Sequence, residues 1–228
     1  MQCIFHLFAF LYTFLFSVTI APVPGTVSHV PALPSKGKEN HMKNYQITQW
    51  CARFIREQVQ PGDFCIDATM GKGNDTLLLS MLAGPSGRVL AFDVQKEALL
   101  LTEKRLQEAD APKNYTLLLD SHERISCYAS PGSVSCIVFN LGYLPGGDHS
   151  MATKAGSTIP ALRQSLSLLQ KGGLISLCIY SGGDSGFEEK DAVLSWLSGL
   201  DPRKYLVIRS DYYNRPHNPP IPVLIIRL

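Results

Sequence analysis

The amino-acid sequence predicts an α/β protein with a Rossmann-like, doubly wound sheet of seven mostly parallel strands and a C-terminal antiparallel hairpin. Short apolar runs alternate with segments whose apolar residues recur at helical spacing, which is the pattern of a parallel sheet covered by helices. Two further apolar runs, joined by a proline-rich segment, end the sequence and predict the hairpin. A glycine turn follows the first apolar run directly, as it does in the nucleotide sites of such sheets.

The elements can be placed in chain order from periodicity and turn residues. Apolar residues at helical spacing predict a first helix over 44–59, and Pro61-Gly62-Asp63 separates it from a strand over 64–68. Lys171-Gly172-Gly173 is predicted to end the helix before the fifth strand. The other predicted helices cover 75–82, 95–109, 159–169 and 188–200, and the other predicted strands cover 88–92, 115–119, 133–139, 174–180, 205–210 and 222–227.

Composition bounds the class of protein. A chain of 228 residues with 45% apolar content can bury one good core, so a single main domain is expected. With 21 basic and 19 acidic residues, the charge is too balanced for a long groove that follows phosphates, although a compact RNA partner remains possible. The six cysteines include no C-x-x-C pair, which favours reduced thiols in a cytoplasmic protein, and no metal site is predicted.

The turn over 67–76 predicts a nucleotide-type ligand site. Gly71 and Gly73 allow the backbone to approach a ligand with no Cβ in the way. Asn74, Asp75 and Thr76 can cap the following helix, whose free N–H groups then face the ligand. Thr76 stands where the dinucleotide fingerprint has its third glycine.

The strand that precedes this turn ends in Asp67, and the resulting D-x-x-x-G-x-G pattern resembles the first motif of class I S-adenosylmethionine (SAM) methyltransferases. Asp93, twenty residues after Gly73, has the spacing at which an acid binds the ribose hydroxyls. Asp120 is placed to accept from the adenine amino group, and Asp67 to order the turn or to meet the cationic amino group of the methionine moiety. We therefore predict that SAM is the cofactor, held by the residues of the turn and of the strand ends: Asp67, Thr69, Gly71, Gly73, Asn74, Asp75, Thr76, Asp93, Gln95, Asp120, Ser121 and His122. The alternative for each aspartate is a helix cap or turn former.

A loop after the fourth predicted strand carries the candidate acceptor chemistry. Asn140 and Tyr143 form an N-x-x-Y pattern in the place of the N-P-P-Y motif of methyltransferases that act on nitrogen. An Asn amide oxygen can accept from an amine and leave its lone pair aimed at the methyl group, while an aromatic ring can stack on a planar base. An alkylamine must first lose a proton, and Asp148 or His149 is placed to accept it. The alternative is a solvated surface loop.

Four segments together resemble one bacterial group of rRNA-methylase-like proteins, the MnmM/YtqB type. They are D-A-T-x-G-x-G-x-D-T, the D-S-H-E segment at 120–123, N-L-G-Y-L-P-G-G-D at 140–148 and N-P-P at 218–220, and the resemblance runs from Tyr45 to the C-terminus. The group methylates the amine of 5-aminomethyl-(2-thio)uridine at the tRNA wobble position. The resemblance thus implies a class I methyltransferase fold, a tRNA anticodon stem-loop as substrate and a homodimer. It places Asn140, Tyr143 and Asp148 in catalysis, and Leu141, Gly142, Gly146, Gly147, Tyr180 and Asn218 at the substrate.

One departure from this group concerns the segment after the fifth strand. The group often has Y-x-G-H-x-G-G there, whereas Tyr180 to Gly186 keeps the tyrosine and glycines but lacks the histidine. Asp184 or His122 would then have to substitute for it. The aromatic and basic stretch over 212–218 fits a single-stranded RNA contact or an ordinary hairpin loop. The rival functions are methylation of an rRNA base or a small amine, and a non-catalytic RNA-binding protein with this fold.

Residues 1–41 differ in character from the predicted methyltransferase domain over 42–228. Residues 1–20 are almost continuously apolar and 21–37 are rich in proline, serine and glycine, as in a signal peptide with a linker. No lysine or arginine precedes the apolar run, however, and a secreted enzyme would lack SAM. We expect translation to start at Met42, because Lys38-Glu39 can be encoded by a purine-rich ribosome-binding sequence; a membrane signal is the alternative. The catalytic domain is expected in the cytoplasm, without stable membrane association.

Overall fold

The computed structural model describes residues 45–142, 152–181 and 186–228. The predicted leader over 1–41 and its boundary at Met42 lie outside these residues. Within them, no helix is long and apolar enough to cross a membrane. Helices and strands alternate along the chain as predicted, and the last two strands follow each other without a helix between them.

Five helices and seven strands are found in the described residues. The helices are α1 (Ile47–Gln58), α2 (Asn74–Ala83), α3 (Lys96–Glu108), α4 (Ala155–Leu168) and α5 (Gly186–Ser198). The strands are β1 (Phe64–Asp67), β2 (Arg88–Asp93), β3 (Tyr115–Leu119), β4 (Val134–Leu141), β5 (Leu169–Ile179), β6 (Tyr205–Arg209) and β7 (Ile221–Arg227), and a 3-10 helix (His122–Cys127) follows β3.

The seven strands form one sheet in the order β3-β2-β1-β4-β5-β7-β6. The pairs from β3 to β5 are parallel, and β7 pairs antiparallel with both β5 and β6. The chain therefore reverses its direction of winding between β1 and β4. The carboxyl ends of β1 and β4 diverge into their connections at that point, which is where open α/β sheets bind ligands.

Apolar side chains cover both faces of the sheet, as the near-continuous apolar strands predict. On one face, Ile55 of α1 and Leu79 of α2 pack with strand residues such as Val138. On the other, Leu162 of α4 and Val193 of α5 pack in a larger cluster. Four of the cysteines, Cys51, Cys65, Cys136 and Cys178, are buried free thiols, and Cys127 is an exposed free thiol. The prediction of reduced core cysteines agrees with this arrangement.

The glycine pair near the start of β5 does not separate helix from strand, which corrects the prediction. Helix α4 begins at Ala155 and β5 begins directly after it, so both elements start earlier than expected. The pairing of β4 with β5 shifts register between Val134 and Cys136, and a Cβ on Gly173 would lie 2.9 Å from the Gln170 carbonyl oxygen. The glycines thus accommodate an irregularity within the strand.

Candidate cofactor and acceptor site

A cavity of about 1020 Å³ opens at the carboxyl ends of the parallel strands. Its wall includes residues that follow β1, β2 and β3, the end of β4 and the residue after β5. The predicted site residues that line it are Thr69, Gly71, Asn74, Asp75, Asp93, Gln95, Asp120, Ser121, His122, Asn140, Leu141, Gly142 and Tyr180. The topology therefore brings together side chains that lie up to about a hundred residues apart in the sequence, as the strand-end pattern predicts.

Asp67 stabilises the turn by hydrogen bonds and does not belong to the cavity wall. Its side chain is fully buried, one carboxylate oxygen accepts from Thr76 Oγ1 at 2.6 Å, and the other accepts from the Thr69 N–H at 3.2 Å. Burial, followed by the charge of nearby Asp75, raises the pKa of Asp67 to about 7. Of the two roles expected for Asp67, the structure supports ordering of the turn. Thr76 is likewise fully buried and takes part in this contact rather than lining the cavity.

Gly73 is required by packing inside the protein, which corrects the expectation that its missing Cβ admits a ligand. Its φ is +75°, and an added Cβ would lie 2.9 Å from three atoms of Thr102 on α3. Gly73 is also the N-cap of α2, and no side chain caps this helix. Asn74, Asp75 and Thr76 are therefore the first helical residues and not its caps. Their N–H groups precede the first hydrogen bond of the helix, from Leu77 N to Gly73 O, and lack a partner within it.

Asp93, at the end of β2, links two segments of the cavity wall. Its Oδ2 accepts from the Gly71 N–H at 3.1 Å and its Oδ1 accepts from the Gln95 N–H at 2.9 Å. A carboxylate offers about four acceptor positions, so two remain for the hydroxyls of a ribose. The position and spare acceptors of Asp93 fit the predicted role.

Asp120 is more fully engaged than the sequence suggests. Its carboxylate accepts from Tyr128 Oη at 2.6 Å and from the Ser121 N–H at 2.8 Å, and Arg124 Nη1 lies 3.2 Å away. The Tyr128 hydrogen bond is the main cause that lowers the pKa of Asp120. About one acceptor position remains for an adenine amino group.

His122 does not suit the role of substitute base. Its Nδ1 lies 3.3 Å from the Ala68 carbonyl oxygen, and its ring meets Phe139 edge-on at 5.9 Å. Its Nε2 is buried and has no hydrogen-bond partner among the described residues. Burial lowers the pKa of His122, which makes its ring a weaker base. A wall position beside the cofactor fits this environment better than proton transfer.

Asn140 is held at both its backbone and its side chain by the glycine turn. Its N–H donates to Thr69 Oγ1 at 2.8 Å, and its Nδ2 donates to Asp75 Oδ2 at 2.8 Å. Asn140 is part of β4 and pairs with Cys178 of β5, whereas the sequence placed it after the strand. Burial raises the pKa of Asp75, and the Asn140 hydrogen bond opposes that rise. Thr69 and Asp75, predicted as cofactor residues, thus also contact the predicted acceptor residue.

A buried acid fixes the two ends of the predicted acceptor loop. The Gly142 N–H donates to Thr153 Oγ1 at 2.8 Å, and the Thr153 N–H donates to the Gly142 carbonyl at 2.9 Å. Glu189 of α5 is 2% exposed and accepts from Thr153 Oγ1 at 2.7 Å and from Thr158 Oγ1 at 2.6 Å. Glu189 and Thr153 were not predicted. Glu189 stands four residues before Val193 and eight before Leu197, which places it on the buried face of α5, and this spacing was the available signal.

Tyr180 and Asn218 approach the site differently. Tyr180 lines the cavity, and burial raises its pKa. If Gly142 carried a Cβ, that atom would lie 3.4 Å from Tyr180 Cβ. Among the described residues, the cavity wall does not include Asn218, but its carbonyl accepts from Ser181 Oγ at 3.3 Å, next to Tyr180. The predicted residues Tyr143, Gly146, Gly147, Asp148 and His149, and the alternative Asp184, lie outside the described residues.

Helix α1 supplies a wall that the sequence analysis did not predict. Thr48, Ala52 and Arg56 recur every four residues and, with Gln49, line the cavity. Basic side chains of Arg56, Lys72 and Lys154 also belong to the wall. The signal in the sequence was the polar stripe opposite the apolar face of the helix.

Comparison with known proteins identifies the family. Residues 89–226 match the family model described as "Putative rRNA methylase". The chain is 36% identical over 215 residues to the tRNA (mnm(5)s(2)U34)-methyltransferase, chloroplastic, of Arabidopsis thaliana, covering 88% of this chain and 78% of that protein. The chain belongs to this family. It is a SAM-dependent methyltransferase, and the sequence resemblance is confirmed in the family and in the fold.

Solved structures agree with this methyltransferase in fold and cofactor. A "putative rRNA-methylase" from Clostridium thermocellum is 41% identical, covers 82% of this chain and 100% of its own, and superposes with a TM-score of 0.79. A "putative methyltransferase" from Streptococcus mutans, solved in complex with SAH, is 36% identical, covers 79% and 97% of the two chains, and has a TM-score of 0.73. The predicted cofactor is therefore confirmed at the level of the family.

The described residues of this methyltransferase fit SAM. Asp93 has acceptors free for a ribose, Asp120 has one for an adenine, and the N–H groups at the start of α2 suit a carboxylate. The acids along the wall also favour a cofactor that carries a sulfonium and an ammonium. When bound, SAM supplies an electrophilic methyl group, and the protein supplies position and electrostatics.

Proposed function

We propose that this methyltransferase converts 5-aminomethyl-(2-thio)uridine into 5-methylaminomethyl-(2-thio)uridine at wobble position 34 of tRNA. The observation that carries the proposal is the side chain of Asn140, which lies on the cavity wall with its NH2 group donated to Asp75. No residue in the described part of the chain donates to its carbonyl oxygen, which can accept from an amine. The printed function of the Arabidopsis relative, a tRNA methyltransferase, supports the same substrate class.

The residues of the chain would act by positioning and by accepting hydrogen bonds. Oδ1 of Asn140 would accept one N–H of the neutral aminomethyl group, which turns the nitrogen lone pair toward the cofactor side of the cavity. Tyr180 and Leu141 would bound the space for a planar base. Asp148 or His149 stays the predicted proton acceptor, because a protonated amine has no lone pair for the transfer.

Basic side chains at the cavity support a nucleic-acid substrate. Arg56, Lys72 and Lys154 lie on its wall, and none of the three forms an ion pair with another described residue. Unpaired cations beside a base-binding cavity suit the phosphates that flank a flipped or unstacked nucleotide. The expected homodimer and the cytoplasmic location stay predictions.

Nucleoside mass spectrometry of tRNA from a deletion strain tests the proposed function. We expect aminomethyl-uridine to accumulate and the methylaminomethyl form to disappear, with restoration by the wild-type gene. An unchanged tRNA profile would refute the proposal. If a methylated rRNA base is lost instead, the rRNA alternative is correct; if only a small amine loses its methyl group, the small-molecule alternative is correct.

Two variants separate catalysis from cofactor binding. Asn140→Ala is expected to reduce kcat by ~100-fold or more while the Kd for SAH changes little, since positioning errors at the reacting group are costly. Asp93→Ala is expected to weaken SAH binding instead, because it removes the acceptor that holds Gly71 and Gln95. Calorimetric titration with SAH measures both affinities. Loss of SAH binding by Asn140→Ala would contradict its assignment to the acceptor.

A further inference from the structure

The orientation of the Asn140 side chain is determined by one neighbour, Asp75. The amide donates through Nδ2 to Asp75 Oδ2 at 2.8 Å, and both residues lie on the wall of the cavity. The backbone N–H of Asn140 is fixed separately by Thr69 Oγ1 at 2.8 Å. Two contacts to one turn thus hold the residue, and among the described residues only the contact to Asp75 distinguishes one end of the amide from the other.

An amide has two unlike ends, and an ionised carboxylate accepts only. When Asp75 is ionised, the NH2 group of Asn140 can face it, whereas the reversed amide would oppose two oxygens that both lack a proton. With the NH2 group engaged, the carbonyl oxygen is the end that remains for a ligand. A reversed amide would instead present N–H groups to the acceptor amine and donate into the lone pair that must attack.

We propose that Asp75 is a positioning residue that sets the amide orientation of Asn140, so that its carbonyl oxygen, and not its NH2 group, receives the acceptor amine. This inference rests on the proposed function for the identity of the amine. It gives Asp75 a role in methyl acceptance, whereas the sequence analysis assigned it to helix capping and cofactor binding. Asp75 acts through Asn140 and transfers no proton in this scheme.

Stability alone does not account for a carboxylate at this position. Asp75 lies close enough to the fully buried Asp67 that its charge raises the pKa of Asp67. Two desolvated acids in one turn are unfavourable for folding. The hydrogen bond from Asn140 favours the ionised form of Asp75. Asp75 and Asn140 therefore stabilise each other in the arrangement that the acceptor requires.

Two substitutions at Asp75 test the role through turnover. Asp75→Leu removes the acceptor, and kcat is expected to fall ~100-fold with little change in the Kd for SAH, as for a misplaced reacting group. Asp75→Asn keeps an oxygen that can accept from Asn140 Nδ2 but also offers an NH2 group to the reversed amide, so kcat is expected to fall less than in Asp75→Leu. Glu97→Leu is the matched control, because it removes an exposed acid from the first turn of α3.

A second measurement needs no substrate. In protein with ¹⁵N-labelled asparagine side chains, the NH2 signal of Asn140, identified by its loss in Asn140→Ser, is expected to exchange slowly with solvent. Slow exchange should persist in Asp75→Asn and Glu97→Leu and disappear in Asp75→Leu. Circular dichroism and thermal unfolding verify that each variant is folded.

Several outcomes would overturn the inference. If Asp75→Leu keeps kcat within threefold of the wild type, or if the Asn140 NH2 group still exchanges slowly in that variant, the positioning role is refuted. Equal loss of kcat in Asp75→Asn and Asp75→Leu, with slow exchange kept in Asp75→Asn, would show that the charge or a proton of Asp75 acts directly. If the wild type methylates no aminomethyl-uridine in tRNA, the proposed function fails, and the exchange data still decide whether Asp75 holds the amide.

Discussion

At the scale of single residues, the acids of this site divide into those that face the cavity and one that holds the turn. Asp93 and Asp120 line the cavity and keep acceptor positions free, whereas Asp67 is fully buried and uses its carboxylate on Thr76 and Thr69. Each of them lies at the carboxyl end of a strand. Their difference therefore depends on which segments cover each strand end.

Asp67 gives the protein a pH-dependent stability of defined sign. The pKa of Asp67 in the folded protein is about 7, above the ordinary 3.8. Between these two pH values the native state holds a proton that the unfolded chain has released. The contribution of Asp67 is thus fully present below about pH 4 and is lost as the pH rises through about 7. Each unit by which the folded and unfolded pKa values differ corresponds to about 1.4 kcal/mol in the free energy of unfolding.

Asp67→Asn is expected to remove this dependence, because an amide oxygen still accepts from Thr76 and carries no charge. Urea unfolding of the two proteins without cofactor, between about pH 4 and about pH 8, measures the difference in the free energy of unfolding. The wild type should lose stability relative to the variant as the pH rises. A constant or opposite difference would contradict the raised pKa.

Gly73 permits a second prediction with an internal control. Both Gly73 and Gly172 have positive φ, +75° and +77°, but a Cβ at Gly73 would meet Thr102 and a Cβ at Gly172 would meet nothing within 4 Å. Gly172→Ala is expected to cost about 1–2 kcal/mol from backbone conformation. Gly73→Ala is expected to cost a further ~1–3 kcal/mol from the contact with Thr102, and to weaken SAH binding. Equal losses of unfolding free energy would contradict the packing role.

At the scale of elements, β4, α4 and α5 meet at the base of the predicted acceptor loop. Glu189 of α5 accepts from Thr158 of α4 and from Thr153, which in turn accepts from Gly142 just after β4. One buried side chain thereby fixes both ends of the loop relative to the sheet. Its hydrogen bonds remain satisfied without any solvent contact.

Glu189→Leu is expected to lower the free energy of unfolding by about 1–3 kcal/mol, because it leaves buried hydroxyls without their acceptor. The KM for tRNA should rise while the Kd for SAH stays close to that of the wild type. Glu188→Leu, at the exposed neighbouring position, should change stability by no more than about 0.5 kcal/mol. Urea unfolding and steady-state kinetics measure the two effects; an unchanged KM in Glu189→Leu would argue against control of the loop.

The elements themselves were largely predictable. Helices α1 to α3 and strands β1 to β3 lie within about two or three residues of their predicted bounds, since periodicity and turn residues are local signals. The start of β5 was wrong, at Leu169 instead of residue 174. There, pairing between strands overrides the local preference of Gly172-Gly173 and carries β4 through Asn140.

At the scale of the whole molecule, the sheet order places the ends of five parallel strands around one cavity. This arrangement lets the glycine turn after β1 contact Asn140 at the end of β4, 65 residues from Asp75. The cofactor side and the acceptor side of the site therefore share a wall. Helix α1, which precedes β1 in the chain, adds Thr48 and Arg56 to it.

By itself, the sequence determined the fold class, the cofactor and the strand-end residues of the cavity wall, because strand ends and glycine turns can be recognised from local patterns. Only the tertiary structure decided what each residue does there. In the tertiary structure Asp67 is buried and Gly73 packs against Thr102. Asn140 donates to Asp75, and Glu189 accepts from Thr153 at the base of the loop. Hydrogen-bond partners depend on distances in space between distant segments, and the sequence pattern carries no record of those distances.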